Sequence, residues 1–155
     1  AASNTIKKAL DRKTELLLPL DHVVSRQVNF GKEESVGNKI HRGSIPKGWM
    51  GVDIGPETVN IYSSRIQSAR TILWNGPLGI FENEEFRNGT FSIARLIASN
   101  TNATSIVGGG DSIKALKDSG FDNHITHIST GGGAALEFLE GAELPGVSVL
   151  HRVTS

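Results

Sequence analysis

The chain has 155 residues, 37% apolar and 21% charged, which fits one compact domain with a single core. Sixteen basic residues balance sixteen acidic ones, so no net field draws the protein toward nucleic acid or anionic lipid, and any anion site has to be local. The absence of cysteine excludes a disulfide scaffold and a thiolate metal centre, and nothing reads as a signal peptide or membrane span, the longest early apolar run being Leu16 to Leu18. A cytoplasmic location is the expectation. Two sequons, Asn88-Gly89-Thr90 and Asn102-Ala103-Thr104, have meaning only in a secreted chain and read as chance.

In chain order, residues from Thr5 to Arg12 read as helix and Glu15 to Leu20 as a buried strand. His22 to Lys47 is polar and only weakly alternating, which predicts irregular structure or short edge strands. Met50 to Ile54 is a strand, and Gly55-Pro56-Glu57-Thr58 opens a helix, with proline in the first turn and an acid at the positive end of the dipole. Val59, Tyr62 and Ile66 recur along it at helical spacing. Thr71 to Trp74 is the next strand, Asn75 to Glu82 a Gly/Pro-rich loop, and Glu84 to Ser99 a helix with Phe86, Thr90, Phe91, Ala94 and Ile97 on one side.

Thr104 to Val107 then runs into Gly108-Gly109-Gly110-Asp111 and a helix carrying Ile113 and Leu116. His124 to Ser129 repeats the pattern, running into Gly131-Gly132-Gly133 and a helix with Leu136, Phe138 and Leu139. Strand, glycines and helix in this order predict an α/β fold, a Rossmann-like three-layer αβα domain built on a parallel sheet, with ligands at the carboxyl ends of its strands. Residues 142–155, with Pro145 and Gly146, read as an extended tail.

A glycine run between strand and helix lets backbone N–H groups approach an anion, and the helix dipole favours negative charge there. The same glycines also serve tight packing. Two such blocks on adjacent strands would set two N–H-rich helix starts along one sheet edge, as a transferred polyphosphate requires. Neither a Walker-type Gly-x-x-x-x-Gly-Lys-Ser/Thr nor a Gly-x-Gly-x-x-Gly is present. Asp111 can cap the helix or hold a magnesium ion, and the Ser112 hydroxyl can meet a phosphate oxygen. In the loop, Asn75 can donate to a phosphate and Glu82 can accept from ribose hydroxyls, although a structural turn with a solvated glutamate explains it equally. His124 and His127 would face opposite sides of a strand and make a poor metal pair, while Trp49 and Trp74 read as core or hinge packing.

Taken together, the blocks resemble the phosphoglycerate kinase family. They are Leu18-Pro19-Leu20-Asp21, Gly48-Trp49-Met50-Gly51-Val52-Asp53-Ile54-Gly55-Pro56, Trp74-Asn75-Gly76-Pro77-Leu78-Gly79-Ile80-Phe81-Glu82, Gly108-Gly109-Gly110-Asp111 and Ser129-Thr130-Gly131-Gly132-Gly133-Ala134, closing with Leu144-Pro145-Gly146. Their order and spacing fit the family's C-terminal, nucleotide-binding half. The resemblance implies phosphoryl transfer between 1,3-bisphosphoglycerate and ADP, giving 3-phosphoglycerate and ATP in glycolysis, with ATP/ADP and Mg2+ as cofactors. It implies Gly51 beside the adenine, Asn75 and Pro77 lining the nucleotide pocket, Glu82 on the ribose, and Gly109, Gly110, Asp111 and Ser112 on the phosphates. Asp111 would lie toward the metal, and Gly131, Gly132 and Gly133 would stabilise the migrating phosphoryl group as the catalytic set.

Ser112 stands where the family usually has threonine, which keeps the hydroxyl, and Ala142 stands where lysine is common. No segment matches the family's N-terminal domain with its basic substrate site, or its Gly-Gly-Ala-Lys motif. The expectation is therefore a domain over 1–155 incomplete at its N-terminal side, whose partners are the missing N-terminal part, an adenine nucleotide and, through that missing part, phosphoglycerate. Alone it would be inactive. The alternative reading is a folded nucleotide-binding or assembly module without turnover.

Overall fold

The computed structural model of the chain describes residues 2–30, 35–144 and 148. Helix α1 (Ala2–Asp11) comes first. The strand expected at Glu15–Leu20 does not form. Among the described residues no strand pairs along this segment, and it is held by separate tethers: the Arg65 guanidinium to Glu15 at 2.6 Å, the Tyr62 hydroxyl to the Leu17 carbonyl at 3.2 Å, the Leu20 N–H to Thr58 Oγ1 at 3.0 Å and the Gly43 N–H to the Leu20 carbonyl at 2.9 Å. Without a ladder its leucines stay in solvent, Leu18 at 60% exposure.

Strands β1 (Asp21–Ser25), β2 (Lys39–Arg42) and β3 (Met50–Ile54) form an antiparallel sheet in the order β2-β1-β3. The stretch His22–Lys47 was expected to hold only irregular or edge structure. The exposed β2 fits that expectation, but β1 is the central strand, with Val24 and Ser25 fully buried. A register shift between Val23 and Val24 turns two successive residues inward and breaks the alternation that would have marked the strand. β3, expected to join a parallel sheet, pairs antiparallel with β1 instead.

The second sheet is parallel. Helix α2 (Pro56–Ser68) leads to β4 (Thr71–Asn75), α3 (Asn88–Ser99) to β5 (Thr104–Gly108), and α4 (Gly110–Ser119) to β6 (His127–Ser129), with strand order β4-β5-β6. Helix α5 (Gly132–Leu139) follows and packs on β5. α3 lies between α2 and α4. The core joins Ile54, Trp74 and Phe81 to Ile93 and Ile97 of α3, Val107 of β5, and Ala115 and Leu116 of α4, with Val59, Tyr62 and Ile66 of α2 packed against it. Burying a side chain the size of Leu116 stabilises the fold by about 1.5–3 kcal/mol.

Further element boundaries and the placement of one side chain also differ from expectation. α3 begins at Asn88 rather than Glu84, because its first turn is fixed by the Asp53 carboxylate, which accepts the Gly89 N–H at 2.6 Å. The segment before β6 is a short 3-10 helix (Asp122–His124), which shortens the strand expected from His124. Trp49 is half-buried at the surface of the antiparallel sheet rather than in the core, with Lys39 at 4.2 Å and Arg26 at 4.8 Å from its ring centroid. Beyond Leu144 only Ser148 is described, so most of the expected tail over 142–155 lies outside the described residues. Among the described residues no helix is long and apolar enough to cross a membrane.

Candidate functional site

The parallel register sets Asn75, Gly108 and Ser129 level at the carboxyl ends of β4, β5 and β6. Here the strands hand over to the loop after β4 and to helices α4 and α5. Gly109 holds φ +89°, and a Cβ there would sit 3.2 Å from Asn75 Oδ1, so the position needs glycine for its conformation and its neighbour alike. The ladder of α4 opens with the Ile113 N–H on the Gly109 carbonyl at 3.0 Å. The N–H groups of Gly110, Asp111 and Ser112 precede it in the first turn after β5, where a helix start offers an anion both donors and dipole.

Ser112 is 1% exposed, and its hydroxyl oxygen accepts the Gly76 N–H at 2.5 Å. It fastens the loop after β4 to the first turn of α4. Asp111 is exposed; among the described residues its carboxylate makes no hydrogen bond or ion pair, and α4 has no side-chain cap. A lone, unpartnered carboxylate at a helix start suits Mg2+, which takes one or two carboxylates and completes its shell with phosphate oxygens and waters. No group of three or more His, Asp or Glu side chains among the described residues gathers to hold a metal by itself.

The loop from Asn75 to Glu82 is fastened throughout. The Trp74 indole N–H donates to the Gly76 carbonyl at 2.7 Å, the N–H groups of Leu78 and Gly79 both donate to Thr90 Oγ1 at 3.1 Å, and the Ile80 N–H donates to the Val52 carbonyl at 2.8 Å. Phe81 is buried in the core, and Asn83 turns inward to donate to the Asn29 carbonyl at 2.7 Å. Glu82, between these two anchors, is exposed. Pro77 to Ile80 form part of the wall of a cleft of ≈ 380 Å³, which Gly51, Asp53, Ile45 and His22 also line. A Cβ at Gly51 would meet Ile45 Cδ1 at 2.6 Å. The structure thus brings Gly51 and Pro77 to one cleft, and Asn75, Gly109 and Ser112 to one cluster. The second glycine block opens α5 beyond β6, and a Cβ at Gly133 would meet open space.

Two buried carboxylates that support this site escaped the sequence reading. Asp21, 3% exposed, closes the N-terminus of α2: it accepts the Thr58 N–H at 2.7 Å, the Thr58 hydroxyl at 2.6 Å and the Glu57 N–H at 3.0 Å. Asp53, 4% exposed, closes α3 through Gly89 and also accepts the Ile54 N–H at 2.9 Å. In each helix a threonine two residues after the first helical position completes a clasp. Thr58 Oγ1 accepts the N–H groups of Leu20 and Asp21, as Thr90 Oγ1 accepts those of Leu78 and Gly79. Burial raises the Asp21 pKa, but the hydrogen bonds from Thr58 and Glu57 outweigh it and hold the group below its ordinary value. For Asp53, burial wins over the bonds from Gly89, Ile54 and Thr90 and pushes the pKa up to about 6. The available signal was an acid inside an apolar strand, in Leu20-Asp21 and Val52-Asp53-Ile54.

A profile of the phosphoglycerate kinase family matches residues 1–142. Over 149 residues the chain is 46% identical to the phosphoglycerate kinase of Thermosipho africanus, covering 95% of this chain and 37% of that protein. It is 50% identical over 150 residues to that of Koribacter versatilis, covering 96% of this chain and 36% of that protein. Its fold matches the solved structure of phosphoglycerate kinase from Coxiella burnetii with a TM-score of 0.87 at 36% identity, over 96% of this chain and 38% of that one. The structure from Pyrococcus horikoshii OT3 aligns with a TM-score of 0.70 at 34% identity, over 97% of this chain and 38% of that one. The chain spans little more than a third of the length of these relatives. With a matching sequence profile, close relatives and a shared fold, the chain belongs to the phosphoglycerate kinase family.

Proposed function

We propose that this chain is the ATP/ADP-binding part of a phosphoglycerate kinase, acting in the cytoplasm in glycolysis, and that the remainder of the enzyme supplies the phosphoglycerate site. The observation that carries the reading is the edge where Asn75, Gly108 and Ser129 end level, with two glycine-led helix starts beside a fastened Gly/Pro loop. The reaction breaks the bond between phosphorus and the acyl oxygen of 1,3-bisphosphoglycerate and forms one to a terminal β-phosphate oxygen of ADP, leaving 3-phosphoglycerate and ATP. No protein nucleophile is required; the work is positioning and charge stabilisation.

In this reading Gly51 and the Pro77 wall enclose the adenine, Glu82 accepts from the ribose hydroxyls, and Asn75 lies toward the phosphates. The N–H groups of Gly110, Asp111 and Ser112 hold phosphate oxygens, with Gly109 keeping the approach clear. Gly131, Gly132 and Gly133 present the start of α5 to the phosphoryl group in flight. Bound Mg2+ supplies positive charge to the phosphate oxygens, and Asp111 is the residue that would hold it. By itself the chain is a nucleotide-binding module without turnover, in keeping with its spanning 37% of a relative. The test is a coupled assay with and without the missing N-terminal part. Turnover is expected only with both pieces, and turnover by the chain alone, at a purity verified by mass, would refute the reading.

A further inference from the structure

The two clasps are built alike but hold different things. The clasp on α3 grips the wall of the cleft. Thr90 Oγ1 is the acceptor for both the Leu78 and Gly79 N–H groups at 3.1 Å, and the next residue, Ile80, is tied to Val52, the neighbour of Asp53. Asp53 is packed so closely between loop and helix that a Cβ on Gly79 would lie 2.3 Å from its Oδ1, and one on Gly89 would lie 2.4 Å from it. Through the Gly89 N–H it also fixes the turn that carries Thr90.

We propose that Asp53 and Thr90 are positioning residues for the nucleotide, setting the Pro77–Ile80 wall of the cleft at the height at which the base is gripped. The proposal rests on the nucleotide-binding reading above. Neither side chain needs to touch the ligand. Removing the Thr90 hydroxyl leaves two N–H groups of a half-buried loop without an acceptor, and the loop relaxes toward other partners. The pre-set geometry that made binding inexpensive is then lost, which weakens nucleotide binding more than it slows the transfer step.

The test uses the complete enzyme and separates KM from kcat. Thr90→Val, nearly isosteric, is expected to raise the nucleotide KM by about 10-fold while kcat stays within about twofold. The phosphoglycerate KM should not move, and Thr90→Ser should restore the nucleotide KM. Asp53→Asn should shift the same constant in the same direction, and it carries the test if the valine variant fails to fold. Thr126→Val is the control: it removes an equivalent hydroxyl, which accepts the Ser105 N–H at 3.1 Å near the opposite, amino end of the parallel sheet. It should leave the nucleotide KM unchanged. An unchanged nucleotide KM in Thr90→Val, failure of serine to rescue, or an equal rise in Thr126→Val overturns the proposal. Glu82→Gln and Asp111→Asn distinguish the two levels. If they impair the enzyme while Thr90→Val does not, only the positioning role falls; if neither affects nucleotide use, the site assignment falls with it.

Discussion

Acidification should stabilise this fold through Asp53, against the usual direction for carboxylates. Its folded pKa of about 6 lies above the ordinary value of 3.8, so the folded protein holds a proton that the unfolded chain has released. Between those values the folded state binds up to one proton more, and stability falls as pH rises, with a slope approaching about 1.4 kcal/mol per pH unit. Across the window this amounts to about 3 kcal/mol, fully present below 3.8 and lost as pH passes through 6. Asp21 acts in reverse: its depressed pKa gives stability present above its unfolded value and lost as pH falls through the lower folded one, so its effect lies below the Asp53 window. The assay is urea unfolding at half-unit pH steps for the wild-type chain and Asp53→Asn, with the carboxyl carbon of Asp53 followed by NMR. The difference curve should slope between pH 4 and 6 and flatten above 7. A flat difference curve, or an Asp53 resonance titrating near 4, would refute the argument.

Other perturbations follow from the same geometry. Gly109→Ala forces an L side chain into φ +89° and against Asn75, and should cost about 1–2 kcal/mol in denaturant unfolding. Leu116→Ala, at a fully buried position, should cost about 2–5 kcal/mol in the same measurement. Asp111→Asn in the complete enzyme should reduce magnesium-dependent turnover by about 100-fold or more while the melting temperature barely moves, because the side chain makes no structural bond; wild-type-like turnover at limiting magnesium would refute its proposed role toward the metal.

The parallel half of the molecule was legible because its signals are local. Trp74 to Glu82, Gly108 to Asp111 and Gly131 to Gly133 each mark a strand end by composition, and the apolar spacing of α2, α3 and α4 survives into the core. What was hidden depends on pairing between distant segments. β1 looked irregular because a register shift spoils its alternation, and Glu15–Leu20 looked like a strand because its composition suits one, whereas a strand also needs a neighbour. Ser112 read as a hydroxyl able to meet a phosphate, and its hold on Gly76, 36 residues away in the chain, is visible only in the fold. Asp21 and Asp53 could be seen as acids in apolar runs, but their helix partners lie 36 to 37 residues away in the chain, a distance no local pattern spans.

Trp74, one of the chain's two tryptophans, carries its indole N–H on the Gly76 carbonyl, inside the loop that forms the cleft wall. That bond makes it an optical gauge of the loop. Indole emission shifts with the polarity around the ring and with what its N–H meets, so a ligand that tightens or displaces the loop alters the fluorescence of a residue buried beneath it. Trp49 sits apart, beside Lys39 and Arg26 on the antiparallel sheet, where it would add an unrelated background. Replacing Trp49 with phenylalanine would leave a single indole, excited apart from Tyr62 at long wavelength, whose colour reads the state of the cleft, with no attached dye and no need for turnover.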